Sequence, residues 1–351
     1  MTQRITMADV ARAAGVHQTT VSLALRNHRS IPPETRERIR TVATSMGYRP
    51  NPLVSALIAA RRHGSGGSYS GTTLGFLTCF PKRDSWRLSP NYVAVFEELR
   101  AHAADHGYRI EEFWLAEPGM TPVRLKTILL NRGIRGLIIC PMPNEPRVIQ
   151  FDFSEFAAVA LGLTLHQPAL DRVSIDYYAV MNLCVTRLRE KGRKRIAFAT
   201  TFDIDSRVNH LSLGAFLAER HLEPRRFLQP LTSQRWNQEN FMAWLVESRP
   251  DALITAISPD YLTFKSWIDA TPARNRPAVE LVCVDCTVNI PAQTGVVQNL
   301  GGEARAAIDL LTSRVERAQF GVPAEPQTIL VTGTWREKPS PEKATRPPVT
   351  L

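Results

Sequence analysis

The sequence has no apolar run close to the roughly 20 residues that a membrane-crossing helix needs, which excludes a membrane-spanning protein. Its opening stretch, MTQRITMADVARAAG, contains no apolar segment long enough for a secretory signal, so we expect a cytoplasmic protein. Cysteine is scarce: there are five, an odd number, and most lie in apolar runs. This pattern favours reduced thiols over a disulfide framework.

Catalytic motifs are also lacking. The sequence contains no G-x-S-x-G, no H-E-x-x-H and no Walker motif. Cys283 and Cys286 form a C-x-x-C, but no second Cys or His pair has matching spacing, and we interpret them as incidental thiols. The eight histidines show no metal-ligand spacing in this reading. We therefore predict no catalytic residue, no metal, no cofactor and no enzymatic activity.

Lysine is absent from residues 1–62, which hold ten arginines and only three acids. This segment therefore carries +7 of the formal net charge of +10. So basic an end indicates a polyanionic partner, either nucleic acid or an acidic membrane surface. A solvated basic face without a partner is the plainer alternative.

Three short helical patterns open the chain. Thr6 and Asp9 have the Ser/Thr-x-x-acid spacing of a weak capping box before the first helix, near 7–14. Gly15 permits a tight turn before a second helix over 18–25, and a proline suits the start of a third. Helix, four-residue turn, helix and bracing helix is typical of a helix-turn-helix domain.

The rest of the chain changes character twice. The segment HGSGGSYSG reads as a flexible linker, and the Pro-rich, charged end reads as disordered. The predicted divisions are a helix-turn-helix head over 1–48, a hinge helix over 49–62, a linker over 63–71, a core over 72–336 and a disordered tail over 337–351.

Strand and helix patterns alternate through the core. Buried strands are predicted at 74–80, 136–141, 157–163, 195–200, 252–257 and 279–285. Helices are predicted near 91–106, 122–131, 177–190, 207–220, 237–248, 260–270 and 302–317. Such alternation implies parallel sheets with helices on both faces, and the length exceeds one compact sheet, so we expect two α/β lobes.

The stretch ITMADVARAAGVHQTTVSLALRNHRSIPPETRERIRTVATSMGYRPNPLVSAL resembles the DNA-binding head and hinge of the LacI/GalR family of bacterial transcription regulators. The segments IRGLIICP, REKGRKRIAF, VCVD and GVVQN resemble that family's core more loosely. The resemblance implies a core like type I periplasmic sugar-binding proteins, whose chain crosses between two lobes three times. Lobe 1 would then span about 72–172 plus 300–327, and lobe 2 about 173–299 plus 328–336.

One face of the second helix is expected to enter the major groove of DNA. The predicted base contacts are Gln18, Thr19, Ser22 and Leu23. The family reads bases at the positions matching Gln18, Thr19 and Leu23, and Leu23 stands where an arginine is common. Because leucine cannot hydrogen-bond guanine but can contact a thymine methyl, we expect a different operator half-site.

Other residues are predicted to position the head without reading sequence. The predicted phosphate contacts are Thr6, His17, Thr20, Arg26, Arg29 and Ser30. His17 stands where the family has a capping serine, and a phosphate contact and a poor cap are both open. In the hinge, the resemblance implies that Asn51 and Leu57 act in the minor groove, with Leu57 wedged between base steps. Ordinary helix packing of Leu57 is the alternative.

The resemblance also implies an effector site between the lobes. The matching residues are Phe80, Trp236, Asp285 and Gln298. An arginine that the family often has is Leu211 here, and Arg207, one helical turn earlier, is its predicted substitute. For Phe80 and Trp236 the alternative is plain core packing. A sugar is the default effector; a nucleobase, a phosphorylated metabolite or no effector remains open.

Together these patterns predict a cytoplasmic, homodimeric repressor that binds a near-palindromic double-stranded DNA operator and responds to a small molecule. One alternative is a cytoplasmic small-molecule-binding α/β protein or enzyme with a non-specific basic arm. A solute-binding protein of a transporter is a weaker rival, since it predicts a signal peptide and no basic helical head.

Overall fold

The computed structural model describes five stretches of the chain. They are residues 5–25, 31–46, 73–143, 147–286 and 293–337. The predicted hinge over 49–62 and linker over 63–71 lie outside these ranges. So do five of the predicted DNA contacts: Arg26, Arg29, Ser30, Asn51 and Leu57.

Three short helices form the N-terminal domain. They are α1 Met7–Ala13, α2 Gln18–Leu25 and α3 Pro33–Ser45. The capping box precedes α1: the Thr6 hydroxyl accepts a 3.3 Å bond from the Asp9 N–H, and the Asp9 carboxylate accepts a 2.9 Å bond from the Thr6 N–H. Gly15 makes the turn between α1 and α2 at φ +62°, a conformation that favours glycine. The predicted helix-turn-helix arrangement is confirmed.

One apolar face of each helix builds a small separate core. Its buried members are Val10, Ala11, Ala14, Val21, Ala24, Ile39 and Ala43. An Arg38 Nη1 donates a 2.8 Å hydrogen bond to the Ala14 carbonyl, which fastens α3 to the end of α1. Since Val21 and Ala24 are fully buried, the rotation of α2 about its own axis is fixed.

Beyond residue 73 the chain folds into two six-stranded sheets, which confirms the predicted α/β core. The strands of the first sheet are β1 Thr73–Thr78, β2 Arg109–Trp114, β3 Gly136–Ile139, β4 Ala157–Leu161, β5 Asp171–Ile175 and β11 Thr328–Val331. They are all parallel, in the order β2-β1-β3-β4-β5-β11.

The second sheet repeats this design with one exception. Its strands are β6 Ile196–Thr201, β7 Leu231–Ser233, β8 Ala252–Thr255, β9 Glu280–Cys286, β10 Gly295–Val297 and β12 Thr334–Arg336. The order is β7-β6-β8-β9-β10-β12, and only β12, at the edge, runs antiparallel to its neighbour. Glu337, the first residue of the predicted tail, accepts hydrogen bonds from Trp335 and Lys191; the rest of that tail lies outside the described residues.

Helices cover both faces of each sheet. They are α4 Pro90–Asp105, α5 Pro122–Asn131, α6 Tyr177–Glu190, α7 Phe202–Arg207, α8 Leu211–Leu222, α9 Gln238–Ser248, α10 Ser258–Asp269 and α11 Leu300–Glu316. On the first sheet α4 and α11 cover one face and α5 the other; on the second, α6 and α8 lie opposite α9 and α10. None of the helices in the described part of the chain is long and apolar enough to span a membrane.

The chain passes between the sheets three times: from β5 into α6, from β10 into α11 and from β11 into β12. The lobe boundaries differ from those predicted at two of these points. Strand β5 continues in the first sheet to Ile175 rather than ending at 172. Strand β11 also belongs to the first sheet, although 328–336 was assigned to the second lobe. Strand β11 belongs to the first sheet because it pairs in parallel with β5 over four residues.

The helix predicted over 207–220 begins later, as α8 at Leu211, and a separate helix, α7, precedes it and ends at Arg207. Asn209 and His210, between them, have φ of +51° and +59°, which no helix continues through. Asp205 stabilises the break: its carbonyl accepts a 2.9 Å bond from the His210 N–H, and its carboxylate lies 2.5 Å from the His210 Nδ1. This break places Arg207 at the end of a helix.

Gly295 begins β10 at φ +148°, and a Cβ there would lie 2.0 Å from the Cys283 carbonyl oxygen of β9. We predict that Gly295→Ala lowers the free energy of unfolding by roughly 2–4 kcal/mol, measured by chemical denaturation. The matched control is Gly214→Ala in α8, where no atom lies within 4 Å of the new Cβ. It should be neutral or stabilising by up to about 1 kcal/mol. Equal stability of the two variants would contradict the close approach at Gly295.

Candidate nucleic-acid interface and ligand cavity

Helix α2 presents an uncharged polar surface to solvent. Gln18 and Thr19 are exposed on it, opposite the buried Val21 and Ala24. Leu23 is half-buried but does not pack against the domain core, and Ser22 lies in the same helix. The helix contains no charged residue. An apolar group and neutral donors and acceptors on one exposed helical face are suited to contacting base edges.

His17 occupies the residue before α2 and caps it. Its carbonyl accepts the first helical hydrogen bonds, from the N–H groups of Thr20 and Val21. Its ring Nδ1 lies 2.8 Å from the Thr19 hydroxyl and accepts a 3.4 Å bond from the Thr19 N–H. The imidazole thus does what a capping serine does, and the tautomer that this bond requires carries its proton on Nε2 of an exposed ring.

Two other predicted phosphate contacts lie in the described head. Thr6 is exposed, and its hydroxyl donates a 2.6 Å bond to the Asp9 carboxylate within the capping box. These bonds, together with nearby Arg12, lower the pKa of Asp9. Thr20 is half-buried in the first turn of α2. Thr6 and Thr20 therefore stand near the N-termini of α1 and α2, where anions are favoured.

A cavity of about 500 Å³ lies between the lobes, at the carboxyl ends of strands from both sheets. Three of the five residues predicted for the effector line it: Arg207, Asp285 and Gln298. A site at this edge of parallel sheets is the usual position for a ligand in α/β folds.

The other two predicted residues do not line the cavity. Phe80 is 9% exposed and packs edge-on against Tyr92. Tyr92 lines the cavity, so Phe80 lies behind a residue of the cavity wall. Trp236 packs against Phe264 under α10, with ring centroids 4.9 Å apart, on the outer face of the second sheet. Phe80 is thus a core residue, and Trp236 is a half-buried residue packed against the core, in line with the alternative of core packing. The cause for Trp236 is position: its loop follows the edge strand β7, and no residue of that strand lines the cavity.

Arg207 ties the two lobes together across the cavity. Its guanidinium donates to the carbonyls of Met142 and Pro143, at 3.0 and 2.9 Å, and to the Tyr92 hydroxyl at 2.8 Å. All three acceptors belong to the first lobe, whereas Arg207 belongs to the second. A second bond of this kind joins Arg147 to the Ser206 carbonyl at 3.2 Å. The guanidinium of Arg207 thus makes these hydrogen bonds to acceptors of the protein itself.

Asp285, at the end of β9, makes another cross-lobe contact. The Asn91 amide, in α4, donates to both carboxylate oxygens, at 3.0 and 3.3 Å. Burial nevertheless raises the pKa of Asp285 to about 6, because one amide replaces little of the water that the carboxylate has lost.

Glu303, in the first turn of α11, is the cavity residue that sequence reasoning missed. It is 7% exposed and lines the cavity wall. Burial and the nearby charge of Asp285 raise the pKa of Glu303 to about 8, although the Gly162 N–H lowers it in part. The sequence offered no signal, since an acid in a first turn is favourable at any helix N-terminus.

Three buried polar atoms around the cavity have no hydrogen-bond partner among the described residues: Asn91 Oδ1, Asp205 Oδ1 and Gln298 Nε2. Leaving such groups unpaired costs about 1–3 kcal/mol each. Their position in the cavity wall is explained if a bound molecule completes their bonding.

The part of the chain described here also brings together one group of possible metal ligands, outside the cavity. His102 and His106 lie one turn apart on α4, so the histidines do include one pair with ligand spacing. Both rings contact Asp309 of α11, at 2.9 and 3.3 Å. Hydrogen bonding to this carboxylate accounts for their arrangement.

Comparison with known proteins identifies the N-terminal domain. Residues 6–51 match the family described as bacterial regulatory proteins, lacI family. The HTH-type transcriptional regulator MalR of Streptococcus pneumoniae serotype 4 is 26% identical over 198 residues, which are 55% of this chain and 56% of that protein. The chain thus matches about half the length of the first curated relatives.

Solved structures are similar over almost the whole chain. The transcriptional regulator CelR–cellobiose complex superposes with a TM-score of 0.54 at 18% identity, covering 95% of this chain and 99% of that one. The lac repressor dimer bound to operator and the anti-inducer ONPF gives 0.55 at 18% identity, covering 96% and 98%. These likenesses establish the fold, a helix-turn-helix domain followed by two parallel-sheet lobes of the periplasmic-binding type.

The raised pKa of Glu303 has a consequence for stability. The pKa of Glu303 is near 4.5 in the unfolded chain and about 8 in the folded chain. Between these pH values the folded chain holds a proton that the unfolded chain releases, so the contribution of Glu303 to the free energy of unfolding falls as pH rises. We predict that Glu303→Gln gains stability over the wild type from pH 5 to pH 8, by about 1 kcal/mol per pH unit. Urea denaturation at several pH values measures this gain. The control is Glu97→Gln, an exposed residue of α4. Parallel curves for Glu303→Gln and the wild type would show that Glu303 ionises normally.

Proposed function

We propose that this chain, whose residues 6–51 match the lacI family of bacterial regulatory proteins, is a sequence-specific transcriptional regulator, and specifically a repressor. It would act in the cytoplasm as a homodimer whose two heads bind the half-sites of a near-palindromic operator. The observation that carries the proposal is the exposed face of α2, held outward by the burial of Val21 and Ala24.

Base reading is assigned to four residues of α2. The Gln18 amide pairs with the edge of an adenine, Thr19 and Ser22 supply hydroxyls, and Leu23 contacts a thymine methyl. With no cation in α2, the half-site should be read without the arginine–guanine pair that is the commonest specific contact.

Affinity comes from contacts that carry no sequence information. We assign phosphate contacts to Thr6, Thr20 and the Nε2–H of His17, because these groups lie near helix N-termini, where anions are favoured. Arg26, Arg29 and Ser30 are assigned the same role from the sequence. Asn51 and Leu57 are assigned to the minor groove, where a leucine wedge costs a few kcal/mol of unstacking and permits bending.

The core is proposed to bind a small-molecule effector in the cavity between the lobes, through Arg207, Asp285 and Gln298. Phe80 and Trp236 are not part of this assignment. The CelR structure contains cellobiose, which supports a hydroxylated molecule of that size class. Arg207 and Asn91 form hydrogen bonds between the lobes. A ligand that competes for the acceptors of these bonds therefore changes the relative orientation of the lobes. Coupling of about 1–3 kcal/mol to operator affinity is typical of such linkage.

The alternative of an enzyme with a basic arm has less support. MalR is named as a transcriptional regulator, and the cavity residues described above include no nucleophile paired with a base. A turnover assay on any cavity ligand would detect an enzyme.

The test is selection of DNA fragments by the purified full chain. We expect one near-palindromic motif, bound with an affinity that falls steeply with salt, by about 0.9 log unit per log unit of salt for each phosphate contact. Enrichment without a common motif, or binding that is equal for all duplexes, would contradict the proposal and leave the basic-arm alternative.

Gln18 offers the sharpest single-residue prediction. Gln18→Ala should relax selection at one or two base pairs of each half-site, where discrimination falls by about 1–3 kcal/mol, as measured by competition with substituted duplexes. Thr41→Ala, on the exposed face of α3, is the control and should leave the base preference intact. Unchanged selectivity of the Gln18 variant would refute its role.

A further inference from the structure

Acidic side chains outnumber basic ones in the described wall of the cavity. Among the residues that the structure describes, three carboxyl groups border it, those of Asp205, Asp285 and Glu303, against one guanidinium, that of Arg207. That arginine hydrogen-bonds to Met142, Pro143 and Tyr92 of the opposite lobe. Apart from His210, which lies beside Asp205, the described residues bring no basic side chain to these carboxyl groups.

The acids are buried and incompletely satisfied. Asp205 is 5% exposed, and although one carboxylate oxygen lies beside His210, the other has no partner among the described residues. Gln298, 7% exposed, leaves its amide nitrogen unpaired at the same cavity. Unpaired buried polar atoms indicate that the wall is built around a molecule that supplies both donors and acceptors.

Chemistry then decides between the classes of ligand. A phosphorylated molecule would bring negative charge to a wall of carboxyl groups whose one arginine is engaged elsewhere, so it is disfavoured. A neutral sugar can form hydrogen bonds with the cavity wall through its hydroxyl groups, but it supplies no positive charge for the carboxyl groups. An ammonium group supplies donors and the missing positive charge together.

Resting on the proposed function, we infer that the effector is a hydroxylated small molecule with a protonated amino group, such as an amino sugar, and that Glu303 is the residue that selects the amine. Asp285, with Asn91, binds hydroxyl groups or the same amine from the opposite wall. Gln298 donates to an oxygen of the ligand.

The ionisation of Glu303 is consistent with this role. Burial raises the pKa of Glu303 to about 8, so at pH 7 the carboxyl holds a proton. The titratable groups that line the cavity with it, among the described residues, are Asp285 of β9, Tyr92 of α4, Tyr177 of α6, Asp205 and Arg207 of α7 and Cys140 after β3. An entering ammonium stabilises the carboxylate, and the displaced proton passes to the buffer.

The experiment measures binding to the full chain by matched compounds that differ in one group. The probes are glucosamine, galactosamine and mannosamine, a disaccharide with free amino groups, their N-acetylated forms, the parent sugars and the sugar phosphates. We expect amine-bearing members to raise the melting temperature and to bind at least tenfold more tightly than their N-acetylated and parent forms. Calorimetry at pH 7 in two buffers of different ionisation heat should show proton release.

Two variants connect the selectivity to Glu303. Glu303→Gln keeps the size of the side chain, and it should bring the amine-to-parent affinity ratio to within about threefold and abolish the proton release. Glu97→Gln removes an exposed carboxylate of α4 outside the cavity and should match the wild type. A selectivity that survives in Glu303→Gln would overturn the assignment of Glu303.

Tighter binding of a parent sugar or a sugar phosphate, or no binding by any amine-bearing compound, would overturn the inference as a whole. These results are distinguishable from failure of the proposed function. If a neutral sugar releases operator DNA, the regulator stands and the cationic effector falls. If the chain selects no DNA sequence, the regulator falls, and the charge preference of the cavity is still decided by the binding data.

Discussion

The hydrogen bonds across the interlobe cavity are the interaction on which the core depends. Three chain crossings bring the lobes together, but Arg207 and Asn91 determine how they face each other, by bonding to Tyr92 and Asp285 on the opposite sides. These side chains also line the space where a ligand would bind. A molecule that contacts these side chains fully competes with the hydrogen bonds between the lobes. Ligand binding and the relative orientation of the lobes are therefore coupled.

The head obeys a separate and simpler constraint. Its core is small, so nearly every apolar side chain that three short helices can bury is required there. Val21 and Ala24 face that core, and the rest of α2 is left as an exposed, uncharged surface. The overall positive charge of the first 62 residues lies elsewhere in the segment. Attraction to a polyanion and discrimination among sequences are thus assigned to different residues.

Local patterns predicted most of the fold. The capping box at Thr6, the turn at Gly15 and the bounds of α2 follow from neighbours in sequence, and they were confirmed. Six of the twelve described strands were not predicted: β2, β5, β7, β10, β11 and β12. Strand β2 was missed because RIEEFW is an edge strand with polar side chains. The site residues were harder to predict than the fold. Trp236 was assigned to the effector site by a resemblance whose alignment is loose there, and its actual position depends on which strand forms the edge of the sheet. Glu303 was missed because its burial results from packing between lobes that no local signal reports.

The central claim is that α2 reads base edges while a paired chain supplies the second head. The most direct test is hydroxyl-radical footprinting of a duplex chosen by the purified full chain. The account predicts two protected half-sites related by a twofold axis and about one helical turn apart, or a multiple of it. A single unpaired footprint, or uniform protection along the duplex, would contradict it.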